Sequence, residues 1–363
     1  MSNASILEIN TSAIKHNLEH FKSKLLINTK ILVVVKAFAY GSDSVILSEI
    51  LDNEIVDYLA VAYTDEGILL RKSGIRLPIL VLHPQTLNFE ELIAYNLEPN
   101  IYSKYILAAF LKVTNAKNII DYPIHLKFNT GLNRLGFSIN DASEILSIIN
   151  NDNSVKIASV FSHLAASEDL NEKPFTDNQI TSFIKVKNLV NNSLNYSPLF
   201  HLLNTSGILN FTDAQFDMVR LGIGIYGFDN VSNDNLLNVL TLKSIISQIH
   251  LLNKGVSVGY NRAFLTDKNT KTATIPIGHA DGISRDLGNG VGYVIINNSK
   301  APIIGNVCMD MIMVDVTNID CKEGDSVILF NSQKMIEEIA KKLNTIPYEL
   351  LTMISQRVKR IKV

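Results

Sequence analysis

The chain has 363 residues, 47% of them apolar and 19% charged, so it is long enough for a large buried core and too apolar for disorder. Lysine and arginine number 33 against 35 acidic residues, a formal charge of -2 that excludes the basic footprint of a nucleic-acid binder. Two cysteines, Cys308 and Cys321, exclude a disulfide framework, and no Cys/His spacing suggests a metal site. The N-terminus has neither the basic nor the apolar segment of a signal peptide, and charged or polar residues interrupt every apolar run before the ~20 residues of a membrane span. The expected setting is the cytoplasm, with no membrane and no nucleic-acid partner.

In chain order, Ile14, Leu18, Phe21 and Leu25 fall at helical spacing just after Asn10 and Thr11, both good helix starters. Residues 31–35 are apolar, mostly β-branched and unbroken, and read as a strand buried on both faces. Further strands are expected at 58–62, 78–82, 98–101, 124–128, 157–161, 200–203 and 218–221, with helices between them at 44–51, 65–72, 141–149 and 177–190. Eight strands alternating with helices imply parallel βαβ units and a closed (β/α)8 barrel, with an open doubly wound sheet as the alternative. After residue 235 the segments become short and β-rich: 240–249, 272–276, 292–296, 302–304, 311–316 and 326–329. That pattern predicts a mainly antiparallel β domain, closed by a helix at 333–343 with Pro347 at its exit. The Asn/Asp/Ser-rich stretch 229–235 is the expected boundary.

The sharpest local feature is Val35-Lys36-Ala37-Phe38-Ala39-Tyr40-Gly41. A lysine ending an apolar barrel strand stands at the mouth where barrel enzymes keep their active sites. Partly desolvated, its amine suits a covalent bond to an aldehyde cofactor. Taken alone, the same stretch also reads as a surface lysine that merely ends a strand.

Lys36 to Gly41 resembles the pyridoxal-phosphate lysine motif of the alanine racemases, and the resemblance extends along nearly the whole chain. His125 to Gly136, Phe161-Ser162-His163-Leu164-Ala165, Asn204-Thr205 and Asp217 to Gly227 resemble successive segments of that family's barrel. Val258-Gly259-Tyr260, Pro276 to Gly282 and Cys308-Met309-Asp310 resemble landmarks of its second domain, in order. The resemblance implies a pyridoxal 5'-phosphate barrel over residues 10–230. It implies a β domain over 236–363, joined by an N-terminal strand within 1–9. The implied reaction is interconversion of L- and D-alanine, supplying D-alanine for cell-wall peptidoglycan. The implied working form is a homodimer with shared active sites.

By the same resemblance, Lys36 holds the cofactor and serves as one acid/base, while Tyr260 of the partner subunit serves as the other. Arg220 faces the pyridine nitrogen, where a fixed positive charge disfavours ring protonation and side reactions such as transamination. His163 supports Arg220. Arg134 contacts the substrate carboxylate, with Met309 and Asp310 also at the substrate. Lys127 matches a position often carbamylated. The cofactor phosphate falls to Tyr40, Thr205 and the backbone N–H groups of Gly222 and Ile223, with Asn204 also at the cofactor. Three departures from the family pattern matter: Asn129 stands for Asp, and His279 and Gln356 each stand for a tyrosine; Phe38 and Ser42 also depart, from Asn and His. His279 and Gln356 leave substrate range open between alanine and a broader set of amino acids. A non-catalytic pyridoxal-phosphate-binding barrel is the rival from outside enzymes, and it would lack the second domain.

Overall fold

The computed structural model describes residues 4–53, 56–229 and 235–363, so most of the boundary expected at 229–235 lies outside the described residues. Strand β1 (Ile6–Ile9) comes first, followed by a helix over Thr11–Lys22. The Asn10 side chain starts that helix by accepting from the Ala13 N–H at 2.9 Å, and Ile14, Leu18 and Phe21 form its buried face.

Eight parallel strands then close on one another: β2 (Lys30–Val34), β3 (Tyr58–Val61), β4 (Ile79–Val81), β5 (Glu98–Ile101), β6 (Tyr122–Lys127), β7 (Val155–Phe161), β8 (Leu199–His201) and β9 (Met218–Leu221). The β9 to β2 pairing, Ile31 opposite Val219 and Leu32 opposite Arg220, completes the ring, so the sheet is a barrel and not an open one. Runs such as Leu32-Val33-Val34 are apolar on both faces because one side fills the barrel and the other meets helices. The filling is not wholly apolar: His125, Ser159, His201 and Arg220 are buried too.

The second domain carries β10 (Leu240–Ile245), β11 (Gln248–Leu252), β12 (Ser257–Val258), β13 (Phe264–Leu265), β14 (Thr270–Ile275), β15 (Tyr293–Ile296), β16 (Ser299–Ile304), β17 (Ile312–Asp315), β18 (Ser326–Phe330) and β19 (Lys359–Lys362). β12 and β13 pair with each other; the others join β1 in a nine-stranded sheet of order β11-β14-β17-β16-β15-β18-β10-β1-β19. It is antiparallel except where β1 runs parallel to β19.

Two sequence expectations need correction here. The stretch 240–249 is two strands, because the chain changes neighbours at Ile246, whose N–H donates to Asp325, and Ser247, whose N–H donates to Thr274. Pro347 is not the exit of the helix over Gln333–Lys342. That helix ends at Lys342, Asn344 then turns the chain with a left-handed φ of 52°, and Pro347 opens a further helix, Pro347–Thr352. Lacking an N–H and with φ preset, proline suits a first helical turn as well as a stop.

Candidate active site

Lys36 stands two residues past the end of β2, and the backbone then does something L-residues avoid. Ala37, Phe38, Ala39 and Tyr40 all take φ between 51° and 54°, a left-handed turn that runs into Gly41 at φ 82°. Each non-glycine residue in that region costs roughly 1–2 kcal/mol. Surrounding contacts hold the turn. Glu66 accepts the Ala37 N–H at 2.8 Å, the Ser42 hydroxyl donates to Ala39 O at 2.6 Å, and Arg360 donates to the carbonyls of Gly41 and Ser42 at 2.8 and 2.9 Å. Such strain concentrates at functional sites. Here it turns both Lys36 and Tyr40 into one cavity.

That cavity, about 540 Å³, opens at the C-terminal mouth of the barrel. Lys36, Tyr40, Lys127, Arg134 and Arg220 all line it, as do His163, Asn204, Thr205, Gly222 and Ile223. Among the described residues its lining includes four cationic side chains and no acid. Burial is the main cause that lowers the proton affinity of Lys36, with Arg134 adding to it and Glu66 opposing. Burial, then Arg220, Arg134 and Lys36, bring Lys127 down to about 8.

Arg220 is held on almost every edge. It donates to the carbonyls of Ser162 at 2.7 Å, Leu202 at 2.9 Å and His201 at 3.3 Å, and to Nδ1 of His201 and His163 at 2.8 and 3.1 Å. Arginine nitrogens only donate, so both imidazole nitrogens accept. Burial and the Arg220 charge push His163 and His201 well below the usual histidine range, and both are neutral. Phe161 lies against the guanidinium at 5.4 Å and stacks on His201 at 4.8 Å.

Opposite, Thr205 Oγ1 accepts from the N–H groups of Gly222 and Gly224 at 3.1 and 3.3 Å. A Cβ on Gly222 would stand 3.0 Å from the Tyr40 hydroxyl, which is why the backbone there is bare. Burial raises the Tyr40 phenol far above its usual value, so it serves as a donor. Asn204 accepts from Gly207 N–H at 3.0 Å and Ser167 Oγ at 2.7 Å, capping the helix that begins at Thr205.

Tyr260, Met309 and Asp310 do not line this cavity. Tyr260 is 71% exposed and Met309 59%. The structure instead brings the β-domain landmarks together on one outer face. Asn306 donates to Tyr260 O at 3.2 Å, His279 N–H to Cys308 O at 2.9 Å and Ala280 N–H to Met309 O at 3.0 Å. Arg357 bridges Asp281 and Asp310. His279 and Gln356 are exposed near this face and away from the cavity lining.

Models of the alanine racemase N-terminal domain and C-terminal domain match residues 9–230 and 239–362. The chain belongs to the alanine racemase family. It is 36% identical to the alanine racemase of Thermodesulfovibrio yellowstonii over 361 residues, covering 97% of this chain and 96% of the relative. The alanine racemase structure from Clostridium difficile superposes with a TM-score of 0.95 at 34% identity, covering 100% of this chain and 96% of that one. The Bartonella henselae alanine racemase, described with covalently bound pyridoxal phosphate, gives 0.88 at 28% identity, with 100% of both chains covered. The protein is therefore an amino-acid racemase, an isomerase.

Several residues that line this racemase's cavity or support it from behind escaped sequence reasoning. Tyr348 reaches the barrel mouth from the Pro347–Thr352 helix and stands 5.9 Å from Tyr40, ring to ring. Nothing local to it signals a barrel contact. Glu66 reads as an ordinary acid in a first helical turn, yet it also accepts from Ala37 and Ala62. Phe161 and His201 read only as strand-end residues. Among the described residues no helix is long and apolar enough to cross a membrane, and no His/Cys/Asp/Glu group could hold a metal.

Proposed function

We propose that the chain interconverts L- and D-alanine with pyridoxal 5'-phosphate, and that its working unit is a homodimer in which Tyr260 of one copy completes the Lys36 cavity of the other. The observation that carries this reading is the cavity's charge: Lys36, Lys127, Arg134 and Arg220 face one space with no acid among its lining residues. Unfilled, four cations repel one another; a phosphate and a substrate carboxylate offset that charge. The donor set fits the cofactor, with an amine of lowered proton affinity at Lys36 and a hydroxyl-and-backbone cradle at Tyr40, Thr205, Gly222 and Ile223. The Bartonella relative's covalently bound pyridoxal phosphate supports the same reading.

When bound, the cofactor withdraws electrons from the substrate Cα and makes its proton removable. Lys36 would hold the cofactor aldehyde carbon and, once displaced by substrate, take or return that proton at Nζ on one face. Tyr260 Oη would do the same on the opposite face, which inversion requires. Its exposure on an outer face of the β domain suits a residue supplied to another copy. Arg220, whose Nη hydrogens are taken by the surrounding carbonyls and histidines, would present its remaining N–H, at Nε, to the ring nitrogen and keep it an acceptor. His163 would hold Arg220, and Arg134 would take the substrate carboxylate as a planar donor fork. Met309 and Asp310, on the Tyr260 face, would meet the substrate from the second copy. The proposed setting is cytoplasmic, with D-alanine destined for peptidoglycan.

Reduction of the purified protein with borohydride, followed by peptide mapping, should place the pyridoxyl group on Lys36. A label on another lysine, or none, overturns the cofactor assignment. Circular dichroism of an amino-acid panel should show inversion of alanine first; inversion of larger residues at equal rates would favour the broader racemase, consistent with His279 and Gln356 replacing tyrosines.

A further inference from the structure

Below the cavity, a line of polar side chains runs from Arg220 into the barrel interior, and beyond Arg220 the proposed reaction does not use it. Arg220 Nη1 lies 2.8 Å from His201 Nδ1, and His201 Nε2 lies 2.8 Å from Ser159 Oγ. Ser159 Oγ lies 2.6 Å from His125 Nδ1, and His125 Nε2 lies 2.7 Å from Glu98 Oε2. The five residues come from five successive strands, β9, β8, β7, β6 and β5. The line thus crosses the barrel from Arg220, near the mouth, to Glu98 at the first residue of β5. His125, Ser159 and His201 have no exposed surface.

The protons along this line are determined by its ends. Arg220 can only donate, so His201 Nδ1 is bare and His201 carries its proton on Nε2. That proton goes to Ser159 Oγ, and the single Ser159 O–H points on to His125 Nδ1. His125 then carries its proton on Nε2 and donates to the Glu98 carboxylate. All four hydrogen bonds run one way, and each side chain between the ends uses both of its sites. Phe161 stacks on His201, Tyr58 stands edge-on to His125, and Tyr58, Tyr122 and Arg71 surround Glu98.

We propose that Glu98, His125 and Ser159 are positioning residues for the racemase reaction: Glu98 sets the tautomers of His125 and His201, and so keeps Nδ1 of His201 available to hold Arg220. Reversing the line would turn an N–H of His201 toward an N–H of Arg220. The guanidinium would lose an acceptor and its place in the cavity. This rests on Arg220 facing the cofactor ring, as proposed above, but the tautomers themselves do not.

The test uses the cofactor-loaded enzyme labelled with 15N-histidine, its eight histidines distinguished through His125→Asn and His201→Asn variants. Wild type should show His125 and His201 each with its ring proton on Nε2 and Nδ1 bare. Glu98→Leu removes the terminal acceptor and should shift or broaden the His201 signals. It should lower kcat roughly ten-fold, as loss of a supporting partner does, with little change in KM for alanine. Glu98→Gln, which keeps an acceptor oxygen, should restore both. Should Glu98→Leu not fold, Ser159→Ala cuts the line in its middle and should disturb His201 in the same way. His201 protonated on Nδ1 in wild type overturns the proposal. So do unchanged His201 signals, or unchanged kcat, in both Glu98→Leu and Ser159→Ala. Absence of alanine racemisation in wild type would instead overturn the proposed function, leaving the tautomer result readable on its own.

Discussion

Lys127 shows how one side chain's chemistry depends on its neighbours. Its ammonium is buried near Arg220, Arg134 and Lys36, which together with desolvation bring it down to about 8 from an ordinary 10.5. A neutral amine can attack CO2, forming an N–C bond and releasing one proton to leave an anionic carbamate. That modification, which the family resemblance implies for Lys127, would reverse the sign of charge beside Arg134, where Asn129 supplies none. Asn129 instead shapes the loop, its Oδ1 accepting from Gly131 N–H at 3.1 Å and Asn133 N–H at 3.0 Å. Since a lowered pKa enlarges the neutral fraction as pH rises through about 8, a 13C-bicarbonate-derived carbamate signal should grow from about pH 7 to about pH 9. Lys127→Arg should abolish it. A signal that shrinks over that range would show that Lys127 is not the acceptor. Lys36 was legible in sequence because a lysine breaks an apolar run; Tyr348 was not, because its partner Tyr40 is distant in the chain.

Among the elements, the left-handed turn after Lys36 is the least expected from composition, since Ala37-Phe38-Ala39-Tyr40 contains nothing that favours positive φ. Tertiary contacts impose it, and Gly41 lets the Pro347–Thr352 helix close over it. A Cβ at Gly41 would stand 1.9 Å from Leu351 O, whereas Gly74, also at positive φ (91°), has nothing within 4 Å. Gly74→Ala should therefore cost about 1 kcal/mol, from conformation alone, and Gly41→Ala about 2–4 kcal/mol, from conformation and collision together. Urea unfolding of the two variants measures the difference. Equal losses would mean that the helix moves aside freely.

For the whole molecule, the separation between the Lys36 cavity and the Tyr260 face has a direct consequence under the proposed dimer. Tyr260→Phe keeps the ring and removes the transferable proton; activity should fall by roughly 10²–10⁴-fold while the cofactor still attaches to Lys36. Lys36→Ala should be inactive for the opposite reason. Mixed and allowed to exchange subunits, the two variants should regain activity, because one site of each mixed dimer has both groups. Exchange is checked by mass spectrometry of differently tagged chains. Exchange without recovery would rule out shared sites.

The amino-acid sequence by itself determined the barrel strands, the division into a parallel and a mainly antiparallel part, and the place of Lys36 at a strand end, because periodicity and strand-end position are local properties; the other expected cavity residues came from the resemblance to the alanine racemases. Tertiary structure decided what local patterns cannot express. β1 joins β10 and β19 across most of the chain, Pro347 starts a helix because that helix packs on the barrel mouth, and Arg220 meets His201 only when β9 lies beside β8. The polar line to Glu98 belongs to the same class. Its residues are spaced along five strands as isolated polar interruptions, and only the side-by-side pairing of β5 to β9 turns them into hydrogen-bonded neighbours.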